Sequence, residues 1–78
     1  MSEYPSVTGK KLIKALIHIG YIKVRQDGSH VSLRHPDNPS VVPVIPNITK
    51  DLKKGLLEGI KRQLKLSREK FIEILRDC

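Results

Sequence analysis

Tyr21-Ile22-Lys23-Val24-Arg25-Gln26-Asp27-Gly28-Ser29-His30-Val31-Ser32-Leu33-Arg34-His35-Pro36 is a β-rich stretch folded about one turn. Tyr21 to Gln26 predicts a strand, Asp27-Gly28 is a hairpin signal, and His30 to His35 is the return strand. Pro36-Asp37-Asn38-Pro39 marks a second turn. Ser40 to Ile45 predicts a third, valine-rich strand, ended by Pro46-Asn47. Pro43 has no N–H for a ladder, so this strand belongs at an edge or carries a bulge. It carries apolar side chains on both faces, Val41 and Ile45 one way, Val42 and Val44 the other.

The period changes to helical on both sides of this sheet. Thr8 caps a predicted helix from about Gly9 to Ile19, and Gly20 supplies a left-handed stop. Leu12, Ala15, Leu16 and Ile19 share one face of it. Lys11, Lys14 and His18 share the other, so His18 reads as a surface residue. A second helix is predicted from Thr49 or Lys50, with Leu52, Leu56 and Ile60 as its apolar stripe. Gly55 and Gly59 inside it each cost about 1 kcal/mol relative to Ala. That cost points to close packing against the sheet, or to the close approach of a ligand. Ser67 caps a short last helix with Phe71, Ile74 and Leu75 on its apolar face. The expected fold class is therefore α+β. Its order is α-β-β-β-α with a three-stranded antiparallel sheet, two helices on one face and a short extra C-terminal helix. This is the layout of the double-stranded-RNA-binding fold. One domain is expected over residues 1–78, with its core at 8–66 and the C-terminal helix at 67–77.

Charge narrows the class of function. Fifteen Lys and Arg against eight Asp and Glu give a net charge of +7, the footprint of a nucleic-acid binder. The cations cluster, with Lys10, Lys11, Lys14, Lys23, Arg25 and Arg34 against Asp27 alone in residues 9–36. One cysteine, Cys78, excludes an internal disulfide framework and reads as a terminal residue. The first nine residues contain Glu3 and Pro5 and no apolar core of a signal peptide. No apolar run approaches the roughly 20 residues that span a bilayer. A soluble cytoplasmic protein without membrane contact is expected.

Alternation along the hairpin gathers one group of residues that could carry chemistry. Val31 and Leu33 face the core, which turns His30, Ser32 and Arg34 to the face without helices. On the first strand Ile22 and Val24 are expected in the core and Lys23 and Arg25 on the open face. One titratable base then stands among cations. RNA suits such a site, because a base can take the 2′-OH proton while cations stabilise charge at phosphorus. Histidine titrates near the working pH. His35, five residues on, falls on the opposite face and roughly 16 Å away, too far to share one phosphate. It reads as a residue entering the Pro36 turn. No Cys/His set has zinc spacing, and neither a P-loop nor His-Glu-x-x-His occurs. Lys50, Lys53 and Lys54 lie where a helix N-terminus already favours phosphate. Position and chemistry alone leave His30 open between a catalytic role and that of a surface residue after a turn.

Short motifs run in order along the chain: Gly9-Lys10-Lys11-Leu12-Ile13-Lys14-Ala15-Leu16, Gly20-Tyr21, Arg25-Gln26-Asp27-Gly28-Ser29-His30 and Arg34-His35-Pro36. They continue in Val44-Ile45-Pro46 and Leu52-Lys53-Lys54-Gly55-Leu56, then Ile60 and Leu64, and cover about residues 8–66. In this pattern the sequence resembles the HicA toxin family. The resemblance implies a bacterial or archaeal toxin that cleaves mRNA without a metal or cofactor, with His30 as the catalytic residue. It implies HicB as the antitoxin partner. Asn47 departs from the pattern, since family members often carry His or another polar residue just after the third-strand proline. Asn cannot act as a general base. Candidate RNA contacts are Lys23, Arg25, Ser29, Ser32, Arg34, Lys50, Lys53 and Lys54. The antitoxin is expected to cover His30 across the open face. The rival reading is a non-catalytic RNA-binding module of the same fold. A DNA-binding helix-turn-helix fits poorly, because three strands separate the helices, and no DNA contact is expected.

Overall fold

A computed structural model of the chain describes residues 4–76; Glu3 and Cys78 lie outside them. The elements run α1 (Gly9–His18), β1 (Ile22–Asp27), β2 (His30–Arg34), β3 (Val44–Pro46), α2 (Lys54–Gln63) and α3 (Arg68–Arg76). The strands form one antiparallel sheet in the order β1-β2-β3. This is the expected α+β, double-stranded-RNA-binding-like layout. Both β1 and β3 are edges, which is one of the two placements expected of the strand next to Pro43.

The helices form where caps and apolar stripes agree. The Thr8 hydroxyl accepts the Lys11 N–H at 3.1 Å and opens α1. Leu12, Ala15 and Leu16 are buried beneath the sheet, while Ile19 remains 37% exposed. The Ser67 hydroxyl accepts the Lys70 N–H at 3.1 Å and opens α3. Val31, Leu33 and Ile45 from the sheet meet Leu12, Leu16, Leu57, Ile60, Leu64 and Phe71 in one core. All three helices thus contribute to the same face of the sheet, and the other face is left open.

Tyr4 ties the leading segment to the last two helices. Its hydroxyl donates to Glu58, whose carboxylate also accepts Lys61 at 3.0 Å. Its ring meets Phe71 edge-on at 5.7 Å and lies 5.6 Å from the Arg68 guanidinium. Burial, and then the Glu58 carboxylate, hold the Tyr4 phenol above its ordinary range. The same hydroxyl, followed by Lys61, holds Glu58 below its ordinary value.

Several elements depart from the sequence reading. The β1–β2 register shifts between Lys23 and Arg25, a bulge at Val24. It pairs Ile22 with Arg34 and Lys23 with Leu33. Ile22 and Val24 therefore lie on the open face, 54% and 44% exposed, instead of in the core. Lys23 moves to the opposite face. The third strand is only Val44–Pro46, although the buried Pro43 still offers its carbonyl to the Leu33 N–H at 3.0 Å. α2 starts at Lys54, because the preceding segment pairs with the N-terminal one instead. Thr8 bridges to Asp51, and the Leu52 N–H donates to the Val7 carbonyl at 2.8 Å, which buries both apolar side chains. The α2 stripe becomes Leu57, Ile60 and Leu64, with Leu56 41% exposed. A Cβ on Gly55 or Gly59 would meet nothing within 4 Å, so neither glycine serves close packing.

Candidate active site

His30 owes its position to a hairpin clamped from both sides. The loop is Gly28-Ser29, with Gly28 at φ +63° and Ser29 outside the left-handed region. Glycine first in a two-residue loop fits a type II′ turn, whose twist suits a hairpin. Gln26 reaches over the turn, its amide donating to the Gly28 carbonyl at 3.2 Å. From the other side the Asn47 N–H donates to the Ser29 carbonyl at 2.5 Å. His30 then stands between Asp27 on β1 and Pro46 on β3, its direct cross-strand partners. The residue is exposed, and among the described residues none hydrogen-bonds its ring.

Cross-strand pairs share a face, so the register says what stands beside it. Ser32 pairs with Arg25 on one side and Val44 on the other; Arg34 pairs with Ile22. The open face thus carries His30, Ser32, Arg25, Arg34 and Asp27, together with exposed Ile22, Val24 and Val44. Arg25 lies 4.0 Å from the Asp27 carboxylate, both largely exposed, where such a pair is weak. Arg25, Ser32 and Arg34 are where the sequence places them. Lys23 is not; it lies across the sheet with its ammonium 3.1 Å from the Gln26 amide oxygen. Asp27, read from sequence only as a turn residue, is the acid nearest His30 in register.

The basic residues after β3 are spread over different surfaces. Lys50 lies before α2 and lines a groove with Lys10, Asn47, Ile48 and Thr49. Lys53 is the N-cap residue of α2, in extended conformation and without a side-chain cap. Lys54 borders a separate cleft with Tyr4, Asp51 and Leu57.

His35 has a structural role. Its Nδ1 accepts the Asp37 N–H at 3.0 Å. Nε2–H then donates to the Ile19 carbonyl at 3.2 Å. The ring also meets Tyr21 edge-on at 5.0 Å. Gly20, at φ +109°, lets the end of α1 pass beneath it, since a Cβ there would lie 2.7 Å from Nε2.

Residues 9–66 match the family described as HicA toxin of bacterial toxin–antitoxin. The chain belongs to the HicA toxin family. The HicA match takes in α1, the whole sheet and α2, and stops before α3. It includes the entire clamp around His30. Membership makes this chain the toxin of a toxin–antitoxin system, which implies an antitoxin partner. No curated protein matches the chain. Among the described residues no helix is long and apolar enough to cross a membrane, and no three His, Cys, Asp or Glu side chains converge as a metal site.

Proposed function

We propose that this HicA toxin is an endoribonuclease that cleaves mRNA, with His30 as its catalytic base. The observation that carries the proposal is the exposed imidazole of His30, fixed at a doubly clamped hairpin on the cationic open face of a HicA fold. In the reaction His30 takes the proton of a ribose 2′-OH. The 2′ oxygen attacks the adjacent phosphorus, the bond to the 5′ oxygen breaks, and the leaving oxygen takes up a proton. A 2′,3′-cyclic phosphate remains. Arg25 pairs with Ser32, two residues from His30 and so roughly 7 Å along the strand. A guanidinium reaches that distance and can stabilise charge at phosphorus. Arg34 is roughly 13 Å along the same strand and suits a neighbouring phosphate.

Ser29, Ser32, Lys50, Lys53 and Lys54 are the remaining proposed RNA contacts. The chemistry needs no metal. The toxin acts as one domain in the cytoplasm, and a HicB-type antitoxin holds it in check by covering the open face. The exposed Ile22, Val24 and Val44 give that partner apolar surface beside the arginines.

The test is an RNA with a single 2′-deoxy nucleotide at the scissile position, incubated with purified toxin in excess EDTA. The unmodified RNA should be cut to a cyclic or 3′-phosphate end and the modified one left intact. Cutting of both refutes the 2′-OH mechanism. Binding without cutting of either is the behaviour of a non-catalytic RNA-binding module.

A further inference from the structure

A second cationic feature adjoins the His30 end of the sheet. Lys10, Asn47, Ile48, Thr49 and Lys50 line a groove between the first turn of α1 and the segment leaving β3. Backbone bonds tie its walls together. The Lys10 N–H donates to the Ile48 carbonyl at 3.1 Å, and the Ile48 N–H to the Pro46 carbonyl at 3.0 Å. The second of these closes a γ-turn about Asn47. Gly9 lets α1 come this close, because a Cβ there would overlap the Pro46 carbonyl oxygen. Pro46 is the cross-strand partner of His30, so the groove starts one residue from the catalytic position.

The groove is charged and open. Among the described residues neither Lys10 nor Lys50 forms an ion pair, and α1 has no acid in its first turn. The side chains of Asn47 and Thr49 have no hydrogen-bond partner among the described residues. The Lys10 and Lys11 amides are already used by Ile48 and Thr8. Any anion here is therefore held by side chains and not by the helix end.

We infer that this groove is a subsite for the nucleotide flanking the scissile bond. Lys10 and Lys50 contact the phosphates on either side of it, one each, and Asn47 and Thr49 hydrogen-bond its sugar or base. The inference rests on the ribonuclease reading and extends the substrate from the open face round the end of β3 onto α1.

The test measures binding of a single-stranded RNA by fluorescence anisotropy across a tenfold range of salt. A His30→Ala background prevents cleavage. Lys10→Gln and Lys50→Gln are added singly, and Lys70→Gln on α3 serves as a charge control. Each phosphate contact on a single strand contributes about 0.7 to the slope of log affinity against log salt. Each groove variant should therefore lose about fivefold less affinity than its parent over that range, and Lys70→Gln should track the parent. Parental slopes in both groove variants, with RNA still bound and the wild type still cutting, overturn the groove alone. A wild type that neither binds nor cuts RNA overturns the ribonuclease reading and the groove with it.

Discussion

Replacing Gly9 with alanine should destabilise the fold, although alanine is the better helix former. Helix preference alone favours the substitution by about 1 kcal/mol. Sterics oppose it. The new methyl would overlap the Pro46 carbonyl oxygen, 2.9 Å from the carbonyl carbon and 3.1 Å from Ile48 N. All three are backbone atoms of the β3 end, which the hairpin clamp holds, so no side chain can swing away. The first turn of α1 must retreat, which weakens the Lys10–Ile48 hydrogen bond, worth about 1 kcal/mol. Overpacking adds about 1–3 kcal/mol. The net expectation is a loss of about 1–3 kcal/mol. Gly59→Ala is the matched comparison, an exposed helical glycine with nothing within 4 Å of its added Cβ. It should gain up to about 1 kcal/mol. With a urea slope of about 1 kcal/mol/M for a chain this small, the unfolding midpoints should move about 1–3 M down and up to about 1 M up. A Gly9→Ala protein as stable as the parent would refute the close approach of α1 to β3.

His35→Ala should cost about 1–2 kcal/mol of stability, because it removes two hydrogen bonds, to the Ile19 carbonyl and from the Asp37 N–H, whose exposed partners water can then reach. RNA cleavage below the lowered melting temperature should persist, and its loss there would give His35 a part in catalysis. Glu58 should make stability acid-sensitive. Its pKa in the fold is held below the ordinary value of 4.5 by Tyr4 and Lys61. Its contribution is therefore present above that value and lost as pH falls through the folded pKa. Urea unfolding of Glu58→Gln should decline less between pH 7 and pH 3 than that of the parent, and an equal decline would contradict the assignment.

The order of elements and the place of His30 follow from local signals. The turn at Gly28 fixes which residue begins β2, and alternation then sends Val31 inward and His30 outward. Lys23 was not readable in the same way. A bulge at Val24 inverts the alternation behind it, and no glycine or proline marks the spot. The start of α2 was hidden for a different reason. Residues 50–53 have helical spacing, but Leu52 gains more by burial beside Val7, a partner 45 positions away in the chain. Gly9 looks like an ordinary helix residue until the Pro46 carbonyl is seen against it. Lys10 escaped the candidate site with it, since only that long-range approach brings it to the segment leaving β3, whereas Asn47 is marked in the sequence as the residue after the third-strand proline. The HicA resemblance, by contrast, was carried by short motifs that stay contiguous in sequence.

The most direct test of His30 is RNA cleavage by purified His30→Ala toxin beside the wild type. Circular dichroism and unfolding midpoints should be shared by both, since the side chain is exposed and bonded to no described residue. The variant should bind RNA as the wild type does and leave it uncut, a loss of the 10²–10⁴-fold that general base catalysis supplies on the order of magnitude. Cleavage by the folded variant at the wild-type rate would contradict the account.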